Sequence, residues 1–341
     1  MLNILDHIPD GFLQASASNL HQVLPAPTLM HLAGRKPEPL FVSVLLHGNE
    51  DTGLKAIQSV ISRFAQADLP RSLSVFVGNV QAAAVGQRRL DGQPDYNRVW
   101  PGHDAGPTIA ASPESRMMEH VVDVMRERGV FASIDIHNNT GLNPHYGCVN
   151  ALRPEYLHLA SLFSRTIVYF IRPLGVQSAA FARICPAVTV ECGKPGDAAA
   201  EAHAARFVDA VLHLDHFPDR PPPASDFNLF HTVATVKVCE QRTFGFGDGA
   251  ADLQLEPQID QLNFREVEPG TRFGCVRRDT SMPLLALAED GSDVTANYFA
   301  VQDGELLLCR SAMPSMLTLD ERVIRQDCLC YLMERYALPW Q

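Results

Sequence analysis

Through the first two thirds of the chain, short apolar runs alternate with longer stretches of helical period. Residues 40–46 (LFVSVLL), 72–77 (SLSVFV), 132–136 (ASIDI), 166–171 (TIVYFI) and 187–190 (AVTV) read as buried strands. Between them, residues 52–67 place Leu54, Ile57, Val60, Ile61 and Phe64 at three-and-four spacing. Residues 113–128 do the same with Met117, Met118, Val121 and Met125, behind Ser112 as N-cap. This alternation predicts an α/β layer fold with a mostly parallel central sheet flanked by helices.

A helical stretch at 198–214 runs into Pro221-Pro222-Pro223, which neither a helix nor a central strand accommodates. Residues 218–226 are therefore expected to be a Pro-rich linker between a domain at 1–217 and a smaller β-rich domain at 227–341. In the latter, residues 233–238, 272–276, 284–288 and 304–310 read as short strands, and 319–336 as a closing helix.

The 341 residues, with 46% hydrophobic and 20% charged, are ordinary for a folded globular protein. No run approaches the eighteen or so apolar residues of a membrane span, and the start MLNILDHIPDGFLQ has no secretory pattern, so a cytoplasmic protein without a membrane partner is expected. The eight cysteines are scattered and lack a CxxC pair, which points to reduced thiols. A formal charge of −11 without a basic run excludes nucleic acid as the expected partner. It also means that an anionic substrate needs local arginines. No oligomeric state is read from the pattern.

Chemistry concentrates at strand ends. In LLHGNEDTG an apolar strand closes on His47, with Glu50 three residues on. This is either a metal-ligand pair above a sheet edge or a histidine at that edge followed by an acid in a helix's first turn. A second strand ends at His137, and parallel strands bring their carboxyl ends to one edge, so His47, Glu50 and His137 can meet there. Two imidazoles and one carboxylate form a catalytic zinc set with a fourth position left open. Asp135 is either a buried polar group or the orienter of His137. The loop GQRRLDGQPDYNRVWPG carries Arg88, Arg89, Asp95, Asn97 and Arg98. Its arginines either hold a carboxylate or pair with Asp91 and Asp95. In PAVTVECGKPG a buried run delivers Glu191 to its end. A carboxylate there is exposed at the edge, paired, or kept for proton transfer.

HGNE, an arginine upstream of Asn97-Arg98, DIH and VECG, in that order over residues 41–197, resemble the zinc carboxypeptidase superfamily. The resemblance is closest to its succinylglutamate desuccinylase and aspartoacylase branch. It implies one Zn2+ on His47, Glu50 and His137, with Glu191 as general acid and base. It further implies that Arg88 polarises the scissile carbonyl and that Asn97 with Arg98 holds the substrate carboxylate. Arg88 is preferred to Arg89 because RRLD matches the branch's Arg-x-x-Asp spacing, although the loop then runs two residues longer before Asp95. Residues 143–147 (NPHYG) and Lys194 lean toward the desuccinylase side. Arg183 is the candidate for the branch's further substrate arginine, and Tyr298 for a tyrosine from the second domain, which in the branch narrows access.

The expected function is hydrolysis of the amide bond of a small anionic N-acyl amino acid. A carboxypeptidase acting on short peptides would use the same residues. A metal-dependent binding protein without turnover is a third reading.

Overall fold

The computed structural model describes residues 2–104, 106–278 and 280–338. Two compact units emerge from it. One comprises the chain up to Asn138 together with His145–Tyr169 and Pro173–Asn228. The other gathers Asn139–Pro144, Phe170–Arg172 and the chain from Leu229 onward.

The first unit contains strands β1 (Asn3–Leu5), β2 (Thr28–Leu32), β3 (Gly34–Val44), β4 (Leu69–Val77), β5 (Ala132–His137), β6 (Tyr146–Val149), β7 (Thr166–Tyr169) and β8 (Ala187–Glu191). Their spatial order is β1-β2-β4-β3-β5-β8-β6-β7. The sheet is mixed, which corrects the expectation of a mostly parallel one: β2 runs antiparallel to β4, and β6 antiparallel to β8. The reason is local. Parallel neighbours need a crossover of a dozen or more residues, whereas β5 passes to β6 through a short loop without a helix. The β4-β3-β5-β8 core is parallel, so β3, β5 and β8 end on the same edge.

Buried side chains line these strands on both faces. Leu40, Phe41, Val42 and Val44 of β3 and Ile134 of β5 are fully enclosed, as expected of central strands covered by helices. The helices are α1 (Thr52–Arg63), α2 (Val80–Ala84), α3 (Gly106–Ala110), α4 (Pro113–Glu127), α5 (Pro154–Phe163), α6 (Gln177–Phe181) and α7 (Ala198–His213). In α1 the buried positions Leu54, Ile57 and Val60 follow the helical period, and the helix packs on α7. Ser112 caps α4, its hydroxyl accepting from the Ser115 N–H.

The second unit is built from β9 (Asn228–Val238), β10 (Phe244–Phe246), β11 (Leu253–Leu255), β12 (Arg272–Val276), β13 (Leu284–Ala288), β14 (Phe299–Gln302), β15 (Glu305–Leu308), β16 (Met313–Ser315) and β17 (Cys330–Arg335), with the short helices α8 (Thr295–Tyr298) and α9 (Glu321–Gln326). β9 pairs with β13 and β17, and β17 with β16, all antiparallel. The other five strands form a sheet in the order β10-β11-β12-β15-β14. The expected closing helix at 319–336 is corrected. Only α9 is helical, and the chain leaves it at Asp327 (φ −131°, ψ −87°) to become β17. There Cys330 and Leu332 are buried and Tyr331 between them is less so, the alternation of a strand. None of the eight cysteines, all among the described residues, is in a disulfide. Among the described residues no helix is long and apolar enough to cross a membrane.

Candidate active site

The site lies where β3, β5 and β8 end. β3 stops at Val44, and Leu45 takes a left-handed backbone (φ 54°), uncommon for a branched apolar residue. Its carbonyl accepts from the Asn79 N–H, and the turned chain delivers His47. Gly48 follows because the backbone of α2 passes against it: a Cβ there would lie 2.2 Å from the Ala83 nitrogen. The Glu50 N–H then closes a turn on the His47 carbonyl at 3.2 Å, and α1 starts two residues later.

His47, Glu50 and His137 converge. Their ligand atoms all lie within 4.8 Å of one another, and all three residues are buried. Glu50 offers Oε1 to His47 Nδ1 at 2.9 Å and Oε2 to His137 Nδ1 at 2.7 Å. The outer nitrogens face other carboxylates: His47 Nε2 lies 3.0 Å from Asp95 Oδ1, and His137 Nε2 lies 2.7 Å from Asp135 Oδ2. A neutral imidazole has one N–H and one lone pair. With the N–H donated outward, each Nδ1 lone pair points at Glu50, where a metal ion can satisfy both sides, as protons on the two Nδ1 atoms would in its place. Carboxylate behind histidine behind metal is the usual arrangement of such sites. The trio therefore suits a metal ion, and Glu50 is the ligand shared by both histidines.

Charge in this pocket is tightly balanced. Burial disfavours the Glu50 carboxylate, yet His47 and His137 outweigh it and hold its pKa down. Burial likewise opposes a charged His137, but Asp135 and Glu50 hold its pKa well above the ordinary value. For His47, burial and Arg88 oppose the charge, and Glu50 and Asp95 prevail. Asp95 stays well below the carboxylate range despite burial, through Arg88 and His47.

Arg88 reaches the cluster. It gives Asp95 Oδ2 two hydrogen bonds, from Nε at 3.1 Å and Nη2 at 2.9 Å, while Nη1 lies 3.8 Å from Glu50 Oε1. Arg89 instead donates to the Gln93 carbonyl. Asn97 is buried behind His137: its amide nitrogen is 3.4 Å from Asp135 Oδ2 and 3.1 Å from His137 Nε2, and its oxygen accepts from the Gln177 N–H at 2.9 Å. Arg98 is half-buried, with Nη1 donating to the Asn97 carbonyl. Glu191 ends β8 directly beside His137, its partner in the parallel register, and is itself buried.

Other expected residues stand apart. Arg183 lies next to residues 184–186 that lead into β8, at the edge where strands begin, and bonds the Gly102 carbonyl. The structure does not bring it to the cluster. Lys194 is exposed on the loop after β8. Tyr298 is packed in the core of the second unit, with the Arg310 guanidinium over its ring. Asp135, left open by the sequence, is wholly buried and accepts from Ser43 Oγ at 2.6 Å as well as from His137. Asp95 as the joint partner of His47 and Arg88, and Asn138 as a bonding hub, escaped the sequence reading. The only signals were an acid just before Asn97 and a polar residue just after His137.

Comparison with known protein families matches residues 39–214 to the succinylglutamate desuccinylase/aspartoacylase catalytic domain. Among solved structures the chain is similar to succinylglutamate desuccinylase from Chromobacterium violaceum, at 17% identity and TM-score 0.56, covering 90% of this chain and 87% of that one. It is similar to succinylglutamate desuccinylase/aspartoacylase from Rhodobacter sphaeroides, at 16% identity and TM-score 0.57, covering 91% and 89%. Murine aminoacylase 3 matches at 13% identity and TM-score 0.56, covering 89% and 97%. These likenesses describe a shared fold. A search of curated protein sequences finds no match.

Proposed function

The chain belongs to the succinylglutamate desuccinylase/aspartoacylase catalytic-domain family, and on that premise we propose that it is a zinc-dependent hydrolase of N-acyl amino acids. The observation that carries this reading is the His47, Glu50 and His137 trio with Glu191 beside His137 in register. Two nitrogens and a carboxylate oxygen are a ligand set that zinc accepts with a fourth position open. Bound there, zinc supplies a Lewis acid that acidifies a water and polarises a carbonyl oxygen.

The residues divide the remaining work. Glu191 takes the proton of the attacking water and returns it to the leaving nitrogen. Arg88, held by two bonds to Asp95, offers its guanidinium to the oxygen that gains charge as the carbonyl is attacked. Arg98 anchors the substrate carboxylate. Asn97, both ends of whose amide are engaged, serves by holding Asp135 behind His137 more than by touching substrate. Lys194 is assigned an outer contact with the anionic substrate, and Arg183 none. Residues 1–217 act as the catalytic domain in this reading, and 227–341 as the β-rich second domain beyond the linker at 218–226.

The test is a substrate panel on chelator-stripped and zinc-reloaded protein: N-succinyl and N-acetyl amino acids against dipeptides and tripeptides. Zinc-restored release of amino acid from an N-acyl compound is expected. Release from peptides alone converts the reading to a carboxypeptidase, and no release from either overturns it.

A further inference from the structure

Asn138, the residue after the metal-cluster histidine, is 2% exposed and uses every hydrogen-bonding atom of its side chain. Its Oδ1 accepts from the Thr52 N–H at 3.2 Å, and its Nδ2 donates to Thr52 Oγ1 and to the Gly193 carbonyl, both at 2.9 Å. An amide side chain has two N–H groups and a carbonyl oxygen with two lone pairs, so this geometry engages both donors and one of the two acceptor positions. The main-chain N–H of Asn138 separately donates to Glu50 Oε2 at 3.1 Å.

These bonds tie three motifs distant in sequence. Thr52 is the first residue of α1, the helix that starts just after Glu50, and its N–H is among those a helix leaves unsatisfied. Asp51 at the N-cap position makes no side-chain capping bond, so Asn138, the residue after β5, caps this helix. Gly193 lies two residues beyond Glu191, and the Cys192 N–H meets the His137 carbonyl at 2.9 Å. One amide thus joins the start of α1, the end of β5 and the exit of β8.

We propose that Asn138 is a positioning residue that fixes Glu191 relative to the His47, Glu50 and His137 cluster by holding the Gly193 carbonyl against α1. This rests on the hydrolase reading above for its kinetic consequence. The division between side chain and main chain makes it selective. Asn138→Ala removes the links to Thr52 and Gly193 but keeps the N–H to Glu50, so the cluster should survive while Glu191 loses its restraint.

The experiment compares wild type with Asn138→Ala, Thr52→Val and Thr52→Ser. Zinc affinity is measured by chelator competition, kcat and KM on the best N-acyl substrate, and amide hydrogen exchange over residues 192–196. Asn138→Ala should lower kcat at least tenfold, leave KM within about twofold and zinc affinity within about threefold, and speed exchange over 192–196 at least tenfold. Thr52→Val, which removes one acceptor, should give a smaller loss of the same kind, and Thr52→Ser should restore it. Unchanged kcat, or zinc affinity falling in step with kcat, overturns the proposal. If Asn138→Ala does not fold, the Thr52→Val and Thr52→Ser pair decides by the same criteria. A wild type inactive on the whole panel refutes the hydrolase reading instead. Exchange then decides the positioning claim, and equal rates over 192–196 in Asn138→Ala and wild type refute it.

Discussion

Replacing Asp135 by Asn tests how the cluster is held. The carboxylate is fully buried and accepts from Ser43 Oγ at 2.6 Å, His137 Nε2 at 2.7 Å and the Asn97 amide at 3.4 Å. In Asp135→Asn the amide oxygen can keep facing His137 while its NH2 faces Ser43, whose hydroxyl can turn to accept. Geometry then survives and charge is lost. A hydrogen bond to an ionised acceptor is roughly twice as strong as a neutral one, so about 1–2 kcal/mol of support for His137 disappears. At about 1.4 kcal/mol per tenfold, zinc affinity should fall about tenfold or somewhat more, in line with losses of about 10–100-fold on removing such partners elsewhere. Competition against a chromophoric chelator measures it, with urea unfolding to show that the variant is folded. A folded Asp135→Asn binding zinc within about twofold of wild type refutes the argument that His137 depends on this carboxylate.

Two further outcomes follow from the packing and from burial. At Gly141 a Cβ would sit 1.8 Å from the Leu317 carbonyl oxygen; Gly141→Ala should therefore cost about 2 kcal/mol of stability, as overpacking against backbone does. An unchanged urea midpoint would contradict it. His31 is buried with Nδ1 2.8 Å from Ser74 Oγ, and burial, then Arg128, lowers its pKa from 6.5 to about 4, against a smaller opposing pull from Asp6. Between these values the unfolded chain binds the proton that the folded one refuses. Stability from this group is therefore complete above pH 6.5 and is lost as pH falls toward 4. Allowing for solvent screening, about 2 kcal/mol is at stake. The difference in urea stability between pH 7 and pH 4 should be smaller in His31→Asn than in wild type; an identical difference refutes it.

A feature is legible in the sequence to the extent that it is local. β3, β5 and β8 are visible because each is a mainly apolar run that leads to an ionisable residue, and His47, His137 and Glu191 stand out by that contrast. β6 and α5 went unread. β6 has only four residues, and α5 is apolar on most sides, which hides its period. The same short β6, entered without a crossover, runs antiparallel to β8. At the C-terminal end, β17 follows α9 so closely that the two merge into one apparent helix. Arg183 is marked by a spacing alone, and spacing says nothing about which sheet edge a loop reaches. Asp95 and Asn138 act through bonds to residues far away in sequence, His47 and Gly193 among them, so no local pattern marks them.

The most direct measurement is made on Glu191→Gln, a near-isosteric change at the end of β8. Zinc content and affinity, and kcat on an N-acyl amino acid cleaved by zinc-loaded wild type, are determined side by side. A general acid and base at Glu191 predicts one zinc bound as in wild type and a kcat lower by about 10²–10⁴-fold, the usual contribution of a positioned acid or base. A variant that binds zinc normally and turns over at the wild-type rate contradicts it.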